Sequence, residues 1–149
     1  MAILEAGLIF EGLTLVARKY YSSDIELNDQ LRAGLLAALS SFANVAFKDN
    51  IETFTLSRYE IVCTGKSISM PRGDKKANLL AFGIIEKGTN NKMVRNKLTI
   101  ILEAFLNRFS ILDIAAGELG KFEPFRERID QIFADLRLKS EDRAKSLFG

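Results

Sequence analysis

The chain has 149 residues, enough for one domain with a substantial hydrophobic core. Apolar residues make up 48% and charged residues 27%, which excludes an intrinsically disordered chain. The net charge of +2 gives no basis for nucleic acid or an anionic membrane as the main partner.

There is no histidine, and Cys63 is the single cysteine. That removes the commonest general base, the usual pH switch and any intrachain disulfide, and it leaves no donor set for structural zinc. A reducing compartment, the cytoplasm, is expected. The start, Met1-Ala2-Ile3-Leu4-Glu5, lacks the basic leader of a signal peptide. No apolar run reaches the ~18 residues of a membrane span, so no stable insertion is expected. Ser146-Leu147-Phe148-Gly149 carries no lipidation signal.

Ile3 to Phe10 is short and almost continuously apolar, as a strand covered on both faces should be. Glu11-Gly12 predicts a tight turn, and Leu13 to Tyr21 a second antiparallel strand near an edge. Its expected faces are Leu13, Leu15 and Ala17 on one side, Thr14 and Arg18 on the other. A helix is predicted from a cap at Ser23 or Asn28 to about Ala46, with Leu31, Leu35, Leu39 and Phe42 at helical spacing. Gly34, Ala37 and Ala38 keep part of it thin, so that a second backbone has room to approach.

Asp49-Asn50 marks a turn. Ile51 to Ser57 alternates as an edge strand does, with Thr53, Thr55 and Ser57 on one side and Phe54 and Leu56 on the other. Tyr59 to Thr64 is a further strand. Lys66 to Asn78 reads as a polar loop holding Lys66, Arg72, Lys75 and Lys76. Leu79 to Ile85 is the most uniformly apolar β-type run and is predicted beside Ile3–Phe10 at the centre. Asn90 or Asn91 caps the next helix, whose apolar face is Val94, Leu98, Ile101, Leu102, Phe105, Leu106 and Phe109. Ile111 to Gly120 reads as a connector. Pro124 opens a last helix with Phe125, Ile129, Ile132, Phe133 and Leu136 on one face. Residues 1–136 are expected to form one domain and 137–149 a charged tail.

Motifs for chemistry are thin. Thr64-Gly65-Lys66-Ser67 contains G-K-S but lacks the upstream glycine of a phosphate-binding loop. Cys63 reads as a buried structural thiol, and Glu26 with Asp29 as residues favoured at a helix start. Arg18-Lys19-Tyr20-Tyr21 reads as core tyrosines and solvated cations. No catalytic, cofactor-binding or metal-binding residue is assigned.

The predicted order, β-β-α-β-β-β-α-α, describes an α/β (α+β) chain with a mainly antiparallel five-stranded sheet. It resembles the longin fold of the longin/roadblock superfamily. The resemblance is carried by Gly7-Leu8-Ile9-Phe10-Glu11-Gly12-Leu13, Arg18-Lys19-Tyr20-Tyr21, Phe42-Ala43-Asn44 and Leu79-Leu80-Ala81-Phe82-Gly83-Ile84-Ile85-Glu86. It spans about Ala2 to Leu136 and rests on element order. Roadblock domains usually begin with a helix, which this order lacks. The resemblance implies a three-layer sandwich with one helix on one face of the sheet and two on the other. It further implies a non-catalytic scaffold of small-GTPase-regulating or trafficking assemblies, peripheral to membranes through its partners. The expected partners are a second copy or a related longin or roadblock chain, with a small GTPase as a further one. The expected interface is Gly34 and Ala38 with Ile51, Thr53, Thr55 and Ser57, which leaves the Leu13–Tyr21 edge for another protein. A small-molecule sensor holding its ligand between sheet and helix is the alternative, and an enzyme without histidine the third reading.

Overall fold

The computed structural model describes residues 3–20, 53–55, 59–70 and 76–134. They form a mixed α+β structure built on an antiparallel sheet. Its four long strands are β1 (Ile3–Phe10), β2 (Leu13–Lys19), β4 (Tyr59–Ser69) and β5 (Lys76–Glu86). The three-residue β3 (Thr53–Thr55) pairs with β4, and the order across the sheet is β2-β1-β5-β4-β3. Four helices follow: α1 (Asn91–Arg108), α2 (Ile111–Ala116), α3 (Leu119–Phe122) and α4 (Phe125–Ile132). The long helix predicted before Asp49 and the tail beyond Leu136 lie outside the described residues.

The two most apolar strands are neighbours, as their composition requires. β1 and β5 pair from Phe10↔Leu79 to Ile3↔Ile85, and every residue of β1 is buried. β1 and β2 are joined by Glu11-Gly12, whose φ angles of 48° and 81° make the primed two-residue turn that matches strand twist. The sequence points to glycine for this freedom; Glu11 shares it, and its Oε1 accepts from the Asn78 amide at 2.8 Å.

Two faces can be read from the registers. One carries Ile3, Ala6, Leu8, Phe10, Val62, Leu79, Ala81 and Ile85, buried together with Val94, Leu98, Ile101, Phe105, Phe122, Phe125, Ile129 and Phe133 of the helical region. α1 lies on β4 and β5, while α3 and α4 lie against β2. The side chain of Asn90 caps α1 by accepting from the Met93 amide at 3.1 Å. Phe105, Phe109, Phe122 and Phe125 form a ring cluster with centroids 4.8 to 6.1 Å apart. Among the described residues, the other face carries a cluster from the strands: Leu4, Ile9, Ile61, Cys63, Leu80, Phe82 and Ile84.

Three sequence expectations are corrected. The Lys66–Asn78 segment is not one loop. β4 runs on to Ser69 and β5 begins at Lys76, in one unbroken register from Tyr59↔Glu86 to Ser69↔Lys76. Ile68 faces Ala77 in this polar stretch and both are buried, which anchors the extension. The Ile111–Gly120 connector holds the helix α2, closed at its start by a reciprocal Ser110–Asp113 capping box and at its end by left-handed Gly117. The face assignment of β2 holds for Leu13 and Leu15, which share the helix side, and fails at Ala17. Leu8 pairs with Val16 but Ile9 pairs with Thr14, so Leu15 is the extra residue of a β-bulge. Leu13, Leu15 and Val16 therefore join the helix-side core, and Ala17 packs on the opposite cluster.

Candidate functional site

The chemistry-bearing residues singled out in the sequence are dispersed. Gly65-Lys66-Ser67 lies inside the β4 ladder, opposite Leu80, Leu79 and Asn78. Its amides are not gathered at a helix start, as phosphate cradling demands. Cys63 is 3% exposed in the second cluster, and burial pushes its thiol up to about 12. It is therefore a thiol rather than a nucleophilic thiolate near neutral pH. Of the loop cations, Lys66 and Lys76 are exposed on strands, while Arg72 and Lys75 lie outside the described residues. Glu26, Asp29 and Tyr21 lie outside them as well. Among the described residues, no group of histidine, cysteine or carboxylate side chains is placed to hold a metal ion.

Glu5, which interrupts an apolar run in the sequence, is 5% exposed and pairs in register with Lys19 of β2 and Ile84 of β5. This burial follows from the covering of both faces expected for Ile3–Phe10.

The sheet offers its edges instead. At one side stands β3, in register Thr53↔Val62, Phe54↔Ile61 and Thr55↔Glu60. Thr55 is exposed and Thr53 half-buried. These are two of the six expected interface residues, and the structure places both on the outermost strand. Gly34, Ala38, Ile51 and Ser57 lie outside the described residues.

At the other side stands β2, whose ladder neighbour is β1. Residues Thr14 to Lys19 of β2 line a half-open groove of about 430 Å³, closed on its other side by Leu119, Glu123 and Arg126. Side chains of the last helix fix this end of the sheet. Asp130 of α4 accepts from Tyr20 Oη at 2.7 Å and pairs with Arg18 Nε at 3.2 Å. Arg18 is thus tied to a helix, where the sequence suggested a solvated cation. Lys97 of α1 donates to the Ile132 carbonyl at 3.0 Å, joining α1 to the end of α4. Arg126 Nη1 pairs with Glu123 at 3.2 Å on the groove wall. No local pattern announces this groove, because its two walls are far apart in the chain.

No described helix is long and apolar enough to cross a membrane. No family model matches the chain, and neither does any curated protein.

Proposed function

We propose that the chain is a non-catalytic protein-interaction domain of longin type, a cytoplasmic subunit of a small-GTPase-regulating or trafficking assembly. The observation that carries this reading is the outer strand. Among the described residues, β3 pairs on one side only, with β4, and Thr55 is exposed. A strand edge of this kind presents main-chain N–H and C=O groups, which a second strand satisfies. The reading completes the fold as a three-layer sandwich of five strands in the order β-β-α-β-β-β-α-α. One helix then covers the Leu4–Phe82 face and two cover the other. An apolar cluster on each side of the sheet is what such a sandwich requires.

In this reading the partner is a second copy or a related longin or roadblock chain, seated on β3 and on the thin helix positions Gly34 and Ala38. A small GTPase is a further partner, and membranes are reached through partners only.

The test is Thr55→Lys combined with Ala38→Glu, followed by light scattering and by capture of partners from native cytoplasm with mass spectrometry. The wild type is expected to associate and the double variant to be monomeric and to lose its partner. A wild type that is monomeric at tens of micromolar, with partner capture that survives both changes, overturns the assignment.

A further inference from the structure

α2 turns an apolar face outward. Of its residues, Ile114 is buried and Asp113 half-buried, while Ile111, Leu112, Ala115 and Ala116 are all exposed. Their helical spacing puts these four on one side of α2, away from Ile114. A surface helix ordinarily carries polar residues on that side. Leu112 is 66% exposed, more than any other large apolar side chain among the described residues.

Each end of this face is flanked by a charge. Arg108 precedes Ser110, the cap of α2, and its guanidinium rests over the Phe109 ring at 5.6 Å. Glu118 follows Gly117, which closes α2. Both residues are exposed, and neither forms an ion pair among the described residues. Lys121, the cation nearest to Glu118 in the chain, is bonded to Asp113.

We propose that this face is a weak homodimer contact, its occupant the same face of a second copy. A twofold axis through the middle of α2 sets the two helices antiparallel, with Leu112 of each copy against the alanines of the other. The short side chains of Ala115 and Ala116 leave room for that approach. The same axis carries the Arg108 end of each copy to the Glu118 end of its neighbour, so that both charges meet their opposites. A strip that is apolar in the middle and oppositely charged at its two ends is complementary to its own inverted copy. The strip is far smaller than the ~800 Å² per partner of a stable complex, so a Kd of about 0.1–1 mM is expected. The contact uses no part of the β3 edge and does not depend on that reading.

The test is sedimentation equilibrium from about 20 μM to about 2 mM, a range that brackets the expected Kd. It is run in the Thr55→Lys/Ala38→Glu background, so that any association through β3 is removed and the two interfaces are read separately. Dimers are expected to appear in the upper part of the range. Leu112→Glu should weaken them at least about tenfold, because it buries a charge in the apolar strip. Arg108→Glu and Glu118→Arg should each weaken them about tenfold, and the two together should restore the parent value, since the pair is then exchanged on both sides of the axis. Circular dichroism reports that each variant is folded. A protein that stays monomeric to about 2 mM overturns the proposal. So does association that survives Leu112→Glu, or a double charge reversal that binds no better than the single ones. Binding to phosphatidylcholine vesicles in place of self-association, lost with Leu112→Glu, would make the occupant a lipid surface and would also overturn it.

Discussion

Tyr20 and Asp130 meet at 2.7 Å, the phenol at the end of β2 donating to the carboxylate of α4. The same Oδ1 forms an ion pair with Arg18 Nε at 3.2 Å, so one oxygen meets both the phenol and the guanidinium. Tyr20→Phe removes one hydrogen bond and is expected to cost about 1 kcal/mol. Asp130→Ala removes the shared acceptor and should cost about 1–3 kcal/mol. The Arg18 contribution is smaller, because its side chain is 42% exposed and water screens the pair. Urea unfolding of the two single variants and the Tyr20→Phe/Asp130→Ala double variant measures the coupling; additive losses would mean that the contact does not form in solution.

Two glycines should respond to alanine with opposite signs. A Cβ on Gly7 would lie 2.6 Å from the Val16 carbonyl oxygen and 2.9 Å from Phe82. The backbone contact cannot be relieved by turning a side chain, so Gly7→Ala is expected to destabilise by about 1–3 kcal/mol. A Cβ on Gly120 in α3 would meet nothing within 4 Å. Gly120→Ala is expected to stabilise by about 0.4–1 kcal/mol, through helix propensity and a less free unfolded chain. Thermal denaturation of both variants reads the signs directly.

Phe122 should be the most costly residue of α3 to truncate. It is fully buried, and its ring centroid lies 5.3 Å from that of Phe105 and 5.0 Å from that of Phe109. Phe122→Ala is expected to cost about 3–5 kcal/mol, a large part of a typical domain's stability. Leu112 on α2 is 66% exposed, and Leu112→Ala should change stability by less than about 0.5 kcal/mol. Chemical denaturation that gives equal losses for the two would place Phe122 outside the core.

Cys63 should resist alkylation. Burial raises its thiol to about 12, so the folded state favours the protonated form more strongly than the unfolded state does. The stability this contributes is complete below the ordinary thiol value of 9.0 and is lost as pH rises through the folded value. Iodoacetamide at pH 8 is expected to label the unfolded chain and to spare the native one, as read by intact mass. Unfolding midpoints should fall between pH 9 and about 12, and the Cys63→Ala variant should lack this part of the fall. Rapid labelling of the native protein would place the thiol at the surface.

What could be read in the sequence depended on how much apolar side chain each element carried. β1, β5 and α1 declare themselves because Ile3–Phe10 and Leu79–Ile85 are nearly unbroken apolar runs and Val94, Leu98, Ile101 and Phe105 keep one helical phase. The far end of the β4–β5 hairpin did not, because Ile68 and Ala77 are its buried pair in a stretch otherwise polar. α2 and α3 were missed because their cores reduce to Ile114 and Phe122, too few residues to show a period. Around Leu15 the residues Thr14, Leu15, Val16 and Ala17 leave the phase of alternation undetermined, so the bulge had no local signature. Of the expected interface, Thr53 and Thr55 stand on the outer strand. The β2 groove stayed hidden, since pairing Arg18 with Asp130 and bringing Arg126 beside the strand are acts of tertiary folding.

The bulge at Leu15 makes the length of β2 separable from its alignment. Thr14 opposes Ile9 and Val16 opposes Leu8, so Leu15 is a supernumerary position that no partner in β1 counts. Deleting Leu15 alone would leave each remaining residue of β2 opposite its present partner and turn a kinked ladder into a regular one. Deleting Ala17 or Arg18 would instead draw Leu15 into the ladder and turn the residues between the bulge and the cut to the opposite face. The chain thus carries one spare tooth, and it lies in the stretch of β2 that walls the groove.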